Sequence, residues 1–302
     1  MIRIHLPSRM RARAAFLRIL AVVLLTTAPF SAKAQQSAPV HGLWVWRGRS
    51  VLEDPRGVDS LADFCRAQGI TEVYVSVSER GEIMSGPSMA RMIDVLHRGN
   101  VRVEALFSSE NADEGGRHLD KLMDRVRTIL QFNDKHPRKR FDGIHLDIEP
   151  QKRPENKGKG NLQFLPGLVE AYRAVRQAAE PAGLTVNADI ESKLLKGDSQ
   201  ERRMLLSALP RFTLMMYEVS SPDDTLERKT RRVKASSQKF LAMAYDGLTD
   251  PQLANMLIGL RTKDYGESLP QMLAALDEAN RTNPHYFGWA RLSYNDTLQD
   301  VH

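Results

Sequence analysis

Strand-like segments and amphipathic stretches alternate along this sequence, and that alternation restricts the fold more than any single residue does. Strand patterns fall at residues 42–48, 71–78, 101–108, 141–149, 184–191, 212–219, 240–246 and 287–294. Helical spacing fills much of the chain between them, at 58–68, 88–98, 117–132, 162–180, 200–209, 224–236 and 269–281. Pro137, Pro181 and Pro210 close three helical stretches shortly before a strand begins, because proline cannot continue a helix. Strands that alternate with helices build a parallel sheet, and eight of them suffice to close it. The expectation is an α/β protein made of one (β/α)8 barrel, a TIM barrel, over residues 40–300.

A second pattern supports closure. Val73, Val75 and Val77 oppose Tyr74, Ser76 and Ser78, and Val186, Ala188 and Ile190 oppose Asn187, Asp189 and Glu191. An open sheet covered by helices on both faces favours apolar residues at nearly every strand position. Polar residues on one face instead suggest a lumen that opens into a site.

The first 34 residues stand apart. Arg3, Arg9, Arg11 and Arg13 precede an apolar run at 19–28, and Ala32-Lys33-Ala34 puts small residues where a signal peptidase cuts. Residues 1–34 therefore read as a cleavable secretory signal, cut between Ala34 and Gln35, and the mature chain is expected to be secreted or periplasmic. No later stretch is apolar enough for a membrane anchor. The leader holds six of the 43 Lys/Arg and no acid, so the rest is balanced against 37 Asp/Glu. The formal charge of +6 belongs to the leader, and a nucleic-acid partner loses its support. Cys65 is the only cysteine, which excludes an intrachain disulfide and a cysteine-based zinc site.

Residues 141–150, Phe-Asp-Gly-Ile-His-Leu-Asp-Ile-Glu-Pro, carry the most chemistry. As a strand they place Ile144, Leu146 and Ile148 on one face and His145, Asp147 and Glu149 on the other. Carboxylates at the inward C-terminal end of a barrel strand lie where such barrels do catalysis. The other strand ends add Trp44 and Trp46, then Asn187, Asp189 and Glu191, then Tyr217 and Glu218, Tyr245 and Asp246, and Trp289 and Arg291. Flat aromatics around carboxylates suit a sugar, and glycoside hydrolysis needs an acid to protonate the leaving oxygen. The basic run 151–160 follows directly and should overhang the site, as a solvated loop or an attraction for acidic polysaccharide.

These residues resemble glycoside hydrolase family 18, the chitinase-like barrels. The family's fourth strand carries D-x-x-D-x-D-x-E, and Asp142-Gly-Ile-His145-Leu-Asp147-Ile-Glu149 matches except at His145. Its sixth strand often reads M-x-Y-D, matched by Met215-Met-Tyr217-Glu218 with Glu for Asp and again by Met243-Ala-Tyr245-Asp246. Trp289 is the candidate for the tryptophan of the family's last strand. The resemblance implies Glu149 as general acid and base, Asp147 as its partner, and Tyr217 and Glu218 as contacts to the sugar or the intermediate. It also implies that the N-acetyl group of the substrate acts as nucleophile, with no cofactor. His145, Trp44, Trp46, Asp189, Glu191, Tyr245, Asp246, Trp289 and Arg291 are the candidate glycan-binding residues.

Other arrangements remain open. Ile148-Glu149-Pro150 also looks like the acid/base strand end of the large retaining family of (β/α)8 glycosidases, with Asp246 in the nucleophile's place. Glu191 or Glu218 offers a second carboxylate. A metal-dependent hydrolase using His145, Asp147 and Glu149 is the rival chemistry. A catalytically silent carbohydrate-binding barrel is the rival class, favoured by the His145 substitution.

Overall fold

In the computed structural model the described residues are 39–294 other than 80, 81, 110 and 222. The expected leader and the segment after 294 lie outside them. Among the described residues ten strands occur: β1 (Val40–Val45), β2 (Glu72–Ser76), β3 (Ser78–Glu79), β4 (Glu82–Ile83), β5 (Arg102–Ser108), β6 (Gly143–Asp147), β7 (Thr185–Glu191), β8 (Arg211–Met215), β9 (Asn255–Arg261) and β10 (Tyr286–Leu292). The helices are α1 (Gly48–Glu53), α2 (Gly57–Gln68), α3 (Gly86–Arg98), α4 (Gly116–Lys135), α5 (Leu165–Ala179), α6 (Ser199–Leu206), α7 (Leu226–Tyr245), α8 (Thr262–Tyr265) and α9 (Leu269–Asn280). Eight strands close a parallel barrel in the order β1-β10-β9-β8-β7-β6-β5-β2, and β3 and β4 form a small antiparallel ribbon. The chain is a (β/α)8 TIM barrel.

The expected division of faces holds in β2, β6 and β7. Val73, Val75, Ile144, Leu146, Val186 and Ala188 pack outward into the main apolar core with the helices. Inside, Trp44, Tyr74, Leu106, Leu257 and Ala290 form a separate cluster. Room for these large rings comes from glycine on neighbouring strands: a Cβ at Gly42 would meet the Tyr74 hydroxyl at 2.5 Å.

Asp142, the first acid of the strand-four motif, is a fastener and not a site residue. Its Oδ2 accepts from the Val103 amide at 2.8 Å and lies 2.9 Å from His97 Nε2. It ties the start of β6 to β5 and α3.

Two expectations are corrected. Residues 240–246 are not a strand, because α7 runs through them to Tyr245 with Asp246 as its C-cap. Its buried positions Val233, Ser237, Leu241 and Ala244 keep helical spacing to the end. The seventh barrel strand is β9, whose Met256–Leu260 core is buried throughout and shows no alternation of polarity. The second correction concerns β10. Its register shifts between Tyr286 and Gly288, and Gly288 adopts φ +127, where a Cβ would lie 2.0 Å from the Val40 carbonyl oxygen. Past that bulge Trp289 and Arg291 face the helices, and Phe287, Ala290 and Leu292 join the inner cluster.

Candidate active site

An ionic column rises through the lumen toward the C-terminal mouth. At its base the Arg211 guanidinium bonds Glu72 and lies 3.3 Å from Glu104 Oε1. The same Glu104 oxygen accepts from Asn187 Nδ2 at 2.6 Å, and its other oxygen is 3.2 Å from His145 Nδ1. His145 Nε2 is 2.9 Å from Asp189 Oδ1, and the Trp44 indole N–H donates to Asp189 Oδ2 at 3.0 Å. Tyr74 stacks on the imidazole with ring centroids 3.8 Å apart.

His145 is fully buried. Burial by itself would lower its pKa, but the Asp189 and Glu104 carboxyls carry it up to about 9. The ring is thus an imidazolium at neutral pH, with both nitrogens spent on carboxylates. It lies beneath the cleft and is not turned toward it as a metal ligand. Burial also works against the Glu104 charge, yet the His145 hydrogen bond and Arg211 hold that carboxyl below its ordinary value.

Above the column lies a cleft of about 310 Å³ lined by Trp44, Trp46, Ser108, Asp147, Glu149, Lys152, Asp189, Met215, Tyr217 and Leu292. Asp147 and Glu149 are only 5% and 8% exposed, so both act in a desolvated setting. Burial, then the Asp189 and Glu149 charges, push Asp147 well above the usual carboxylate range. Its Oδ1 is buried without a hydrogen-bond partner among the described residues. Glu149 is raised by burial, partly offset by its bond with the Lys152 ammonium. Gln151 Nε2 donates to the other Glu149 oxygen at 3.2 Å. The Arg261 guanidinium sits 4.8 Å from the centre of the Tyr217 ring. These groups can protonate a leaving oxygen and stack a sugar ring.

The site therefore brings together six expected residues: Trp44, Trp46, Asp147, Glu149, Asp189 and Tyr217. Asn187 and His145 lie below them as support. Glu218 follows Tyr217 in a left-handed conformation, φ +59, and its carboxyl is 80% exposed against Arg261, outside the cleft. Glu191 bonds Asn161 and the Lys193 amide and does not line the cleft. Four further expected contacts are absent from it. Tyr245 packs on His285 and bonds the Ala254 carbonyl, while the Asp246 side chain is 83% exposed. Trp289 stacks on His41 at 4.1 Å and donates to Asp277 Oδ2 at 3.1 Å. Arg291 lies over Phe64 and donates to Gln68.

The alternation of β6 gave no sign of Lys152 as a partner of Glu149, although the basic run after that strand did point over the site. Glu104 was missed because a lone acid in an apolar strand, Arg102–Ser108, has no motif around it.

No family model matches the sequence, and no curated protein matches it. Solved structures do match the fold. One is the Bacillus megaterium QM B1551 spore cortex-lytic enzyme SleL, with a TM-score of 0.56 and 11% identity, covering 85% of this chain and 70% of that one. A chitinase from Bacteroides thetaiotaomicron gives 0.55 and 12%, covering 87% and 93%. The PgaB (BpsB) glycoside hydrolase domain from Bordetella bronchiseptica gives 0.51 and 12%, covering 87% and 96%. The chain thus shares the barrel fold of these enzymes, and at these identities the likeness is one of fold alone.

Proposed function

We propose that this chain is a glycoside hydrolase in which Glu149 protonates the leaving oxygen of a glycan held against Trp44, Trp46 and Tyr217. The carrying observation is the setting of Glu149. It is a nearly buried carboxyl with a raised pKa, at the C-terminal mouth of a barrel, in a cleft with aromatic walls. A general acid must hold its proton near neutral pH, and burial is the physical route to that.

The neighbouring carboxyls suggest the substrate class. Asp189 accepts at both oxygens, from Trp44 and from His145. Asp147 is held toward its neutral form by burial and by two adjacent acids. Neither is a good carboxylate nucleophile, so the geometry favours a 2-acetamido sugar, whose own carbonyl oxygen attacks the anomeric carbon. Glu149 would give its proton to the departing oxygen and then take one from the water that opens the intermediate. The expected export signal fits a glycan outside the cytoplasm, which we include in the proposal.

Glu149→Gln keeps shape and hydrogen bonding but has no proton to give. Turnover of a chromogenic 2-acetamido glycoside or its oligomers should fall by about 10²- to 10⁴-fold, with affinity for the uncleaved glycan nearly unchanged. Equal turnover in wild type and variant would remove Glu149 from the role. Glycan binding by the wild type without any cleavage would make the barrel a carbohydrate-binding protein. Chelators should leave turnover unchanged, and activity restored only by added metal would move the reaction to the metal-dependent class.

A further inference from the structure

We propose that His145 is a positioning residue that decides which of two neighbouring carboxyls, Asp147 or Asp189, carries a proton. Clamped as a cation between Glu104 and Asp189, it commits Asp189 to accepting and leaves the proton on Asp147.

Geometry carries this. A neutral imidazole has one N–H and one lone pair, yet both His145 nitrogens face carboxyl oxygens, at 3.2 Å and 2.9 Å. Two acceptors facing one ring are satisfied together only when both nitrogens carry hydrogen. The second oxygen of Asp189 meets the Trp44 indole, which can only donate. Asp189 therefore accepts on two sides. The Leu146–Ala188 register sets Asp147 one step further along β6, level with Asp189 on β7. Both line the cleft, and Asp147 Oδ1 has no partner among the described residues. Two adjacent buried carboxyls cannot both ionise cheaply. The proton then goes to the one with no donor aimed at it.

Groups pack on this pair from several elements. Tyr74 of β2 stacks on the imidazole, Trp44 of β1 meets it edge-on, and Glu104 of β5 bonds it. Arg211 of β8 acts through Glu104. Asp147 feels Glu149 and Lys152 from its own loop, and has the buried Tyr172 of α5 and the half-buried Tyr217 beyond β8 as neighbours. Among the described residues, His145 is the cation that bonds Asp189. A neutral Asp147 beside Glu149 can donate a hydrogen bond to it or to the sugar; that consequence rests on the glycosidase reading, whereas the proton placement does not.

The test reads the substrate-free full protein by ¹⁵N NMR of the imidazole and ¹³C NMR of the aspartate carboxyls between pH 5 and 10. At pH 7 both His145 nitrogens should be protonated, Asp147 should give the carboxylic-acid signal and Asp189 the carboxylate signal. When the ring loses its proton at alkaline pH, the Asp147 and Asp189 signals should change at that same pH. In His145→Asn the acid signal should move to Asp189, and turnover should fall at least tenfold at little-changed KM. A neutral ring at pH 7, a proton on Asp189 in the wild type, or carboxyl signals indifferent to the ring would overturn the proposal. The wild-type titration decides the matter even if the variant does not fold. A wild type with the expected signals and no turnover keeps the proton placement and discards the hydrolase reading.

Discussion

Lys152 sits at a junction between charge and chemistry. Its ammonium bonds Glu149 and offsets part of the rise that burial imposes on that acid. Because a general acid works protonated, its pKa sets the basic limb of the kcat/KM profile. Lys152→Met removes the cation that favours ionisation, so the limb should move to higher pH, with the plateau largely kept. A limb that stays in place would mean that Glu149 does not set it. At this scale the sequence was informative where alternation applied. One strand gave His145, Asp147 and Glu149 on a common face, and the structure keeps them there. Glu218 was illegible, because its departure from the cleft depends on a positive φ that a glutamate rarely adopts.

Elements were legible by period and misread where two periods overlap. Phe240-Leu-Ala-Met-Ala-Tyr245 is apolar enough for a strand, but the buried stripe of α7 continues through it at helical spacing. β9 escaped because its inward positions, Leu257 and Gly259, are not polar, so alternation vanished. β10 was found, yet one bulge at Gly288 reversed which face Trp289 and Arg291 occupy. A one-residue slip in a strand turns every later side chain over. The consequence can be measured. Trp289 is 5% exposed between His41 and α9, far from the aromatic walls of the cleft. Trp289→Ala should cost about 3–5 kcal/mol in denaturant unfolding, the usual range for a buried tryptophan. KM for the glycan should stay within twofold in the folded fraction. A large rise in KM without loss of stability would return Trp289 to the binding surface.

Across the whole molecule, the lumen is held by charge where the outer core is held by apolar packing. Glu72, Arg211, Glu104, His145 and Asp189 link four strands, β2, β5, β6 and β7, with β8. No motif announces such a column, because its members are single residues on separate strands that meet only after closure. Its signature is pH dependence. The folded pKa of His145, about 9, is above the ordinary 6.5 of an unfolded histidine. A raised histidine contributes stability that is complete below the unfolded value and is lost as pH rises through the folded one. Between those two values the folded chain holds one more proton than the unfolded chain. Unfolding free energy should therefore drop by about 1.4 kcal/mol per pH unit from this group alone. Cys65, pushed up to about 12 by burial, adds a similar loss only above its ordinary 9.0. Cys65 thus lies outside the interval from about pH 7 to 9, and the share of the imidazole within it is the part that His145→Asn removes. Unfolding curves of wild type and His145→Asn across that interval should converge as pH rises, because the wild type loses an interaction that the variant never has. Parallel curves would mean that the ring is neutral in the native barrel and that hydrogen bonding without charge holds the column together.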